Sequence, residues 1–600
     1  MARDKHFANA RMLSVLLDPV LLTLSAATTA ILFAWVLYYS NFGFNLADEG
    51  LYLHYIANPF AYAISWPPSL FGFLYHWPFL WAGGDIAVLR VSNVTLTTVL
   101  GWILSFLLIR RLWRAGWPHA AVLSSGIASL ALLNFSGSWL TPSYYSLAFQ
   151  SLLMVMTGLL LAERQGRIRK VLGWTLVSVG GWCCFMAKPT TAAAIALVVM
   201  LYVVVLQRKS LLHMLGAALV ALALLIVTAY LIDGGVTGLL TRMINSAEME
   251  TLLGAGHEVS LTFRIDWLAT SRSQLAIAVS MATVFLLSIL IGSACKLFLS
   301  LAFTAALIST ITIALLGTNP ISIKSSTLFL VPAFTSLGAM VYRGGFVLRA
   351  QTPTSITLTL TFLVLPHLFA FGSNTNYWHV GAMAALFWML AGVAFLSPLA
   401  QQRRSVDTLL PLTVLAQLLT ASVLNAGMHT PFRQVKDLRA YPAVMPMPGG
   451  GKLVLSQSFH DYLATARAQA REAGLGVGTP VVDLTGLSPS LLYVLETRAL
   501  GLPWMVGSQP GSNAVAVETL RLESCADLAK AWVLIEPEGP YRLDQAAVMA
   551  SFGAAQADYI VAATLNPPVF EDYNPNSARQ FLLKPTRPAE LAEQSCREAR

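Results

Sequence analysis

Asp48, Glu49 and Gly50 follow one another just after the first long apolar run of this 600-residue chain. Carboxylates beside a membrane-length apolar segment are costly to keep there. Such a group serves as a general base on a substrate hydroxyl, or as a ligand for a metal or a polar substrate. The bland alternative is a solvated loop with a turn glycine. The surroundings weigh against it, because residues 41–84 contain no Lys or Arg. They do contain His54, His76, the step Trp66-Pro67-Pro68 and the amphipathic stretch SLFGFLYHWPFLWAGG (69–84). Aromatics and prolines at this density suit a segment lying in a membrane interface. Arg90 then enters the next apolar run.

The elements that must position these residues are membrane spans. The chain is 56% hydrophobic and 11% charged, with a mean hydropathy of +0.65, where soluble chains carry about 25% charged residues. That composition excludes a soluble multidomain enzyme, a nucleic-acid-binding protein and a disordered chain. Thirteen runs approach the ~20 residues a span needs: 16–40, 91–109, 118–134, 145–162, 171–187, 189–206, 211–232, 274–294, 297–316, 325–341, 355–372, 380–398 and 407–425. The fold class expected is a polytopic α-helical membrane protein. The first run continues apolar past Ala26-Ala27, which favours a retained anchor over a cleaved signal peptide.

Charge orients the spans. The formal +9 divides into +11 over residues 1–430 and −2 over 431–600. One set of alternate loops, with the N-terminus, carries 17 Lys and Arg; the other set carries 5, namely Lys188, Arg242, Arg264, Arg272 and Lys324. The positive-inside rule then makes the N-terminus cytosolic. With an odd span count the C-terminal segment lies on the outer face, periplasmic in a bacterial inner membrane. Two long outer loops result, 41–84 and 233–273.

Residues 1–430 thus read as a transmembrane domain and 431–600 as an extracytoplasmic α/β domain. The stretch YPAVMPMPGGG (441–451) reads as a linker. KLVLSQ (452–457), PVVDLTG (480–486), AWVLIE (531–536) and YIVAATL (559–565) read as strands. Residues 460–474 and 488–500 read as helices, the second with Ser488 as N-cap and Pro489 at its first position. No Gly-rich phosphate fingerprint follows a strand, so nucleotide binding is not expected. Cys525 and Cys596 are candidates for a disulfide if this segment lies outside the cytosol.

The order of features in the first outer part is span, acidic pair with Gly, Pro-Pro, interfacial helix, Gly-Asp, then Arg at a span start. That order resembles the GT-C superfamily of integral-membrane glycosyltransferases, particularly the protein O-mannosyltransferase and lipid A aminoarabinose transferase types. The likeness covers residues 16–110 well and extends more loosely to about 425. It implies a polyprenyl-phosphate-linked sugar as donor, a glycan, lipid or protein as acceptor, membrane lipids as surroundings, inversion at the anomeric carbon, and no required metal. Carried onto this chain, Asp48 is the base and Glu49 an orienting or substrate-binding partner. Lys188, in FMAKPTTA, is the first choice for a cation beside the departing phosphate, although a Lys at a span end also simply snorkels. Arg90 follows, with ion pairing as its alternative; Arg264, Arg272, Lys324 and Arg433 are weaker choices, with a solvated loop cation as theirs. His54, Tyr144, Tyr145, Asn376 and Tyr377 are candidate sugar or acceptor contacts. Relatives carry an acid or Asn near the fourth span, where this chain has Ser143; a second acidic partner is therefore in doubt.

Two other function classes remain beside this one. A secondary transporter or flippase suits the span count, but no repeated halves or paired broken helices are visible. A polysaccharide polymerase or ligase of another membrane fold would rely on Arg and His of later outer loops.

Overall fold

The computed structural model describes residues 2–113, 116–137, 140–254, 264, 266–291, 296–317, 323–343, 346–403, 409–570 and 574–600. Helices occupy all thirteen expected runs. They are α1 (Ala2–Tyr38), α4 (Ile86–Leu112), α5 (Trp117–Ala128, continued as a 3-10 turn over Ser129–Phe135), α6 (Tyr144–Ala162), α7 (Arg167–Ala187), α8 (Pro189–Leu206), α9 (Leu211–Asp233), α11 (Arg272–Ile291), α12 (Lys296–Leu316), α13 (Ser325–Arg343), α15 (Pro353–Ala370), α17 (Leu386–Arg403) and α18 (Leu410–His429). Among the described residues, nine helices are long and apolar enough to cross a membrane. Residues 377–398 make a tenth if their two pieces, bent by 72°, count as one span. Cys295 and Arg404 lie outside the described residues.

Burial separates the spans by position. α6 is 83% buried in its most apolar window and α9 only 17%. α6 is therefore central, while α9 turns its leucines outward, as lipid permits. α6 and α7 approach through small residues. A Cβ on Gly158 would stand 2.5 Å from the Gly173 carbonyl oxygen.

The remaining helices position the site. The segment 41–84 folds into α2 (Asp48–Ala57) and α3 (Phe71–Trp81). α3 buries Phe71, Tyr75 and Phe79 and exposes Trp77, Leu80 and Trp81, the amphipathic division expected of 69–84. Tyr75 donates to Gln150 (3.0 Å), and Gln150 donates to Asn93 (2.8 Å), which ties α3 to α6 and α4. The loop expected over 233–273 contains an amphipathic helix, α10 (Val236–Leu253), and short α14 (Phe346–Arg349) and α16 (Tyr377–Gly381) complete the bundle.

The C-terminal part is an α/β domain. Its five-stranded sheet has the order β4-β3-β5-β7-β6: β3 (Pro480–Asp483), β4 (Arg498–Ala499), β5 (Trp532–Ile535), β6 (Tyr559–Leu565) and β7 (Gln580–Pro585). β3 pairs in parallel with β4 and β5, whereas β7 pairs antiparallel with β5 and β6. β5 is buried at all four positions, which explains its unbroken apolar sequence. The helices are α19 (Gln457–Glu472), α20 (Pro489–Val494), α21 (Ser512–Arg521), α22 (Cys525–Leu528), α23 (Gln545–Ala550) and α24 (Ala589–Glu598). Cys525 and Cys596 form a disulfide between α22 and α24.

Two sequence expectations fail here. The stretch 441–451 is not a plain linker: β1 (Ala443–Pro446) pairs antiparallel with β2 (Lys452–Leu455), and only the Gly-rich tip is a turn. The helix expected over 488–500 ends at Val494. Glu496 turns into the left-handed region (φ 59°), and the chain resumes as β4. Ser488 stands at the N-cap position, but its hydroxyl serves Thr485 and Gln580 instead of capping.

Candidate active site

The acidic triplet opens α2, and each of its residues meets a different part of the molecule. Asn45 prepares the turn: its Oδ1 accepts from the Ala47 and Asp48 amides, both at 2.9 Å. Asp48 Oδ2 accepts from Arg433 Nη1 at 2.8 Å. Arg433 follows α18, and its guanidinium lies 5.4 Å from the Trp504 ring. Burial raises the Asp48 carboxyl above the usual carboxylate range, while Arg433 and a backbone hydrogen bond pull it back. Asp48 is thus a carboxylate with enhanced proton affinity.

Glu49 points into the bundle. Its carboxylate accepts from Arg90 (2.7 Å), Thr141 (2.6 Å) and the Asn45 amide (2.7 Å). Arg90 is completely buried. Its five N–H groups go to Thr141, the carbonyls of Ser40, Phe42 and Gly43, and Glu49. Arg90 therefore has no donor left for a phosphate. The expected phosphate contact is instead an anchor that holds the Glu49 carboxylate at the start of α2.

Gly50 meets the α/β domain. Its amide donates to Ser490 Oγ at 3.0 Å, and that hydroxyl donates to the Asn45 carbonyl at 2.5 Å. Gly50 is helical, so the turn-glycine reading does not hold. Its lack of a side chain is required by contact: a Cβ there would stand 2.2 Å from the Ser490 amide nitrogen.

His54, one turn further on, belongs to the same joint. Its Nε2 donates to the Pro489 carbonyl (3.1 Å), leaving Nδ1 to accept from Tyr62 (3.4 Å). Burial lowers its pKa to about 4, so the ring is neutral near pH 7. The expected sugar contact is a docking contact. His54 also lines a cavity of about 410 Å3 on that side of α2, with Tyr62, Tyr493, Glu496 and Arg498. Asp48 and Lys188 do not line it.

Asp48 and Lys188 instead converge on a wall of tyrosines. Tyr52 of α2 meets the Tyr144 ring edge-on, with centroids 6.0 Å apart, and Tyr144 and Tyr145 open α6. The Tyr144 and Tyr145 ring centroids are 4.3 Å apart. Asp48 is near enough to act electrostatically on all three. Lys188 Nζ lies 5.7 Å from the Tyr145 ring and donates to the Phe369 carbonyl at 3.0 Å. Thr190 and Thr191 donate to Phe371 (3.3 Å) and Leu368 (3.0 Å), so the KPTT segment grips the C-terminal end of α15. A cation there is favoured by the helix dipole. Among the described residues no carboxylate lies within ion-pair distance of Lys188, and it is 8% exposed. A buried cation neutralised only by dipoles attracts an anion.

The remaining expected contacts form a separate knot. Arg264 pairs with Asp266 at 3.0 Å, donates to the carbonyls of Ser373 (3.2 Å) and Thr375 (2.7 Å), and lies 4.9 Å from the Tyr377 ring. Asn376 caps α16 through Trp378 and His379, and donates to Trp267. The Tyr377 hydroxyl accepts from the Gly372 amide at 3.0 Å. These partners occupy the polar atoms expected to meet sugar or phosphate. Tyr145 packs against Phe369, with ring centroids 5.8 Å apart, at the end of α15 just before this knot.

Sequence reasoning missed Asn45, Thr141, Ser490 and Trp504, and ranked Arg433 low. Among the described residues no group of His, Cys, Asp and Glu suits a metal ion.

No protein-family model matches the chain, and no curated protein matches it. The chain is similar to two crystal structures of ArnT from Cupriavidus metallidurans. The apo form is 14% identical, with 96% of this chain and 98% of that chain covered and a TM-score of 0.39. The form bound to undecaprenyl phosphate is 16% identical, with 95% and 97% covered and a TM-score of 0.40.

Proposed function

We propose that this protein is an inverting glycosyltransferase of the GT-C type. It moves a sugar from a polyprenyl-phosphate donor to an acceptor hydroxyl at the outer face of the membrane. One observation carries the reading: a half-buried carboxylate of raised proton affinity and a buried cation without a carboxylate partner among the described residues flank one tyrosine wall. The first needs a proton to accept, and the second needs an anion.

The chemistry follows from those two needs. Asp48 takes the proton of the acceptor hydroxyl as its oxygen attacks the anomeric carbon. The bond from that carbon to the phosphate oxygen breaks on the opposite side, and its electron pair leaves with the polyprenyl phosphate. Lys188 stabilises the charge that develops there. Arg433 holds one Asp48 oxygen, so the other is oriented toward the acceptor. Glu49, Arg90 and Thr141 fix the start of α2, so Asp48 does not have to be ordered during the reaction. The count of 17 cations against 5 in alternate loops supports an orientation with Asp48 on the outer side.

The test is release of undecaprenyl phosphate from a panel of undecaprenyl-phosphate sugars, with purified protein in nanodiscs and membrane lipids as acceptors. Asp48→Asn is expected to slow release by about a hundredfold or more, and Lys188→Met by about as much, with unchanged melting temperatures. Wild-type release by Asp48→Asn would remove the base assignment. Uptake of sugar-lipid without covalent transfer would favour a flippase.

A further inference from the structure

α6 begins at Tyr144, beside Asp48, and ends at Ala162, roughly 28 Å away at 1.5 Å per residue. That far end holds a cavity of about 530 Å3, lined in part by Arg111, Arg164, Arg167, Lys170, Glu163 and Gln207. Four cations there meet one carboxylate. Glu163 is already engaged: it pairs with Arg111 and accepts from the Tyr202 hydroxyl at 2.6 Å. Arg164 donates only weakly, to the Leu107 carbonyl at 3.4 Å. Burial and the like charges of Arg169, Arg110 and Arg111 lower its proton affinity.

Cations at span ends orient a chain in the membrane without binding anything specific. Arg208 and Lys209, exposed at the same end and outside the cavity, fit that role. Two features of the cavity go beyond it. Gln207 is nine-tenths buried, lines the cavity, and its Oε1 has no hydrogen-bond partner among the described residues. An unsatisfied buried acceptor is costly unless a ligand supplies a donor. In addition, the 21-residue α7 starts here, at Gly166 and Arg167, without a side-chain cap. Uncapped first-turn amides and the positive end of the helix dipole favour an oxyanion.

We infer that this cavity binds a phosphate group that also carries a hydroxyl. Arg164, Arg167, Lys170 and the start of α7 hold the phosphate, and Gln207 accepts from the hydroxyl. A phosphatidylglycerol headgroup has both parts, and so does a free hydrogen phosphate ion. A phosphatidylcholine headgroup lacks the hydroxyl. The site is independent of the transfer chemistry at Asp48.

Native mass spectrometry of the detergent-purified protein tests this with phosphatidylglycerol, phosphatidylcholine and inorganic phosphate. One phosphatidylglycerol adduct is expected to persist where phosphatidylcholine is stripped. The double variant Arg164→Gln/Arg167→Gln should weaken its retention by about tenfold or more. Gln207→Leu, which leaves the net charge unchanged, should also weaken it. It keeps the test valid if the double variant misfolds. Arg208→Gln/Lys209→Gln should bind as wild type. If inorganic phosphate binds with the same variant pattern and displaces the lipid, the inference stands with soluble phosphate as the source. If it does not displace it, the lipid headgroup is the source. Equal weakening in the cavity and control variants, or no weakening in Gln207→Leu, would reduce the cluster to surface charge and overturn the inference.

Discussion

Glu49 and Arg90 form an ion pair 2.7 Å long whose two side chains are each 1% exposed. The pair joins the first turn of α2 to α4 and closes the base of the candidate site. Removing one member of a buried pair leaves the other charge uncompensated. Glu49→Gln is therefore expected to destabilise the protein by about 3 kcal/mol and to lower activity together with stability. Asp48→Asn should lose activity at near-wild-type stability, because its side chain keeps 16% exposure. Thermal unfolding in detergent alongside the transfer assay separates the two. Equal melting temperatures for both variants would contradict the division of roles within the triplet.

Gly50 tests the joint with the α/β domain. A methyl group there meets the Ser490 backbone, which cannot move without shifting α20. Gly50→Ala should lift α20 off α2, abolish transfer and open the segment between α18 and β1 to proteolysis. Ser490→Ala removes only a hydroxyl from the same contact. It should cost about 1 kcal/mol and leave the protease pattern unchanged. If Gly50→Ala is as resistant to proteolysis as wild type, the close approach is not a constraint.

The sequence reveals this architecture wherever one local property is sufficient. Apolar runs mark thirteen of the described helices of the bundle, and Gly474 marks the end of α19 at Glu472. Adjacent acids in a cation-free segment draw attention to Asp48. What the sequence does not reveal is partnership across hundreds of residues. Arg433 and Asp48 are 385 positions apart, and Ser490 and Gly50 are 440 apart. Nothing in local composition distinguishes Arg433 from any other loop cation. Arg90 misleads for the same reason: an arginine at a span start looks available until the carbonyls of 40–43 fold over it. β4 is missed because two residues, Arg498 and Ala499, carry no strand pattern, and the helix before them ends on a left-handed Glu496 rather than a glycine.

Two buried groups near α20 give opposite pH dependences. His54 has its pKa lowered to about 4. In the window from about 4 to 6.5 the unfolded state binds the extra proton, so this contribution is present above 6.5 and lost as pH falls toward 4. Asp483, whose carboxylate accepts from Thr485 and Ser488 just before α20, has its pKa raised to about 6 by burial. There the folded state binds the extra proton, so stability is lost as pH rises from about 3.8 to 6. The two slopes oppose each other in wild type. His54→Gln should therefore be less stable at pH 6 than at pH 4.5, relative to wild type. Asp483→Asn should shift the difference the other way. Chemical denaturation at the two pH values, reported as variant minus wild type, measures each sign. Identical signs would contradict the burial assigned to one of the groups.

The Cys525–Cys596 disulfide closes a separation of 71 residues around β5, β6 and β7. By chain entropy a loop of that length contributes about 4 kcal/mol. Cys525→Ser is expected to lower the stability of the α/β domain by about that amount, with α24 loosened from α22. The bond also reports on orientation, since disulfides persist in oxidising compartments and are rare in the cytosol. In cells expressing the protein, a thiol-blocking maleimide should label Cys525 and Cys596 only after reduction if the domain lies outside the cytosol. The variant Cys183→Ala/Cys184→Ala/Cys295→Ala removes the other thiols, so that any labelling reads the pair alone. Labelling of that variant without reductant would place the α/β domain on the cytosolic side. The Asp48 site would go with it, because Gly50 and Ser490 hold the two together.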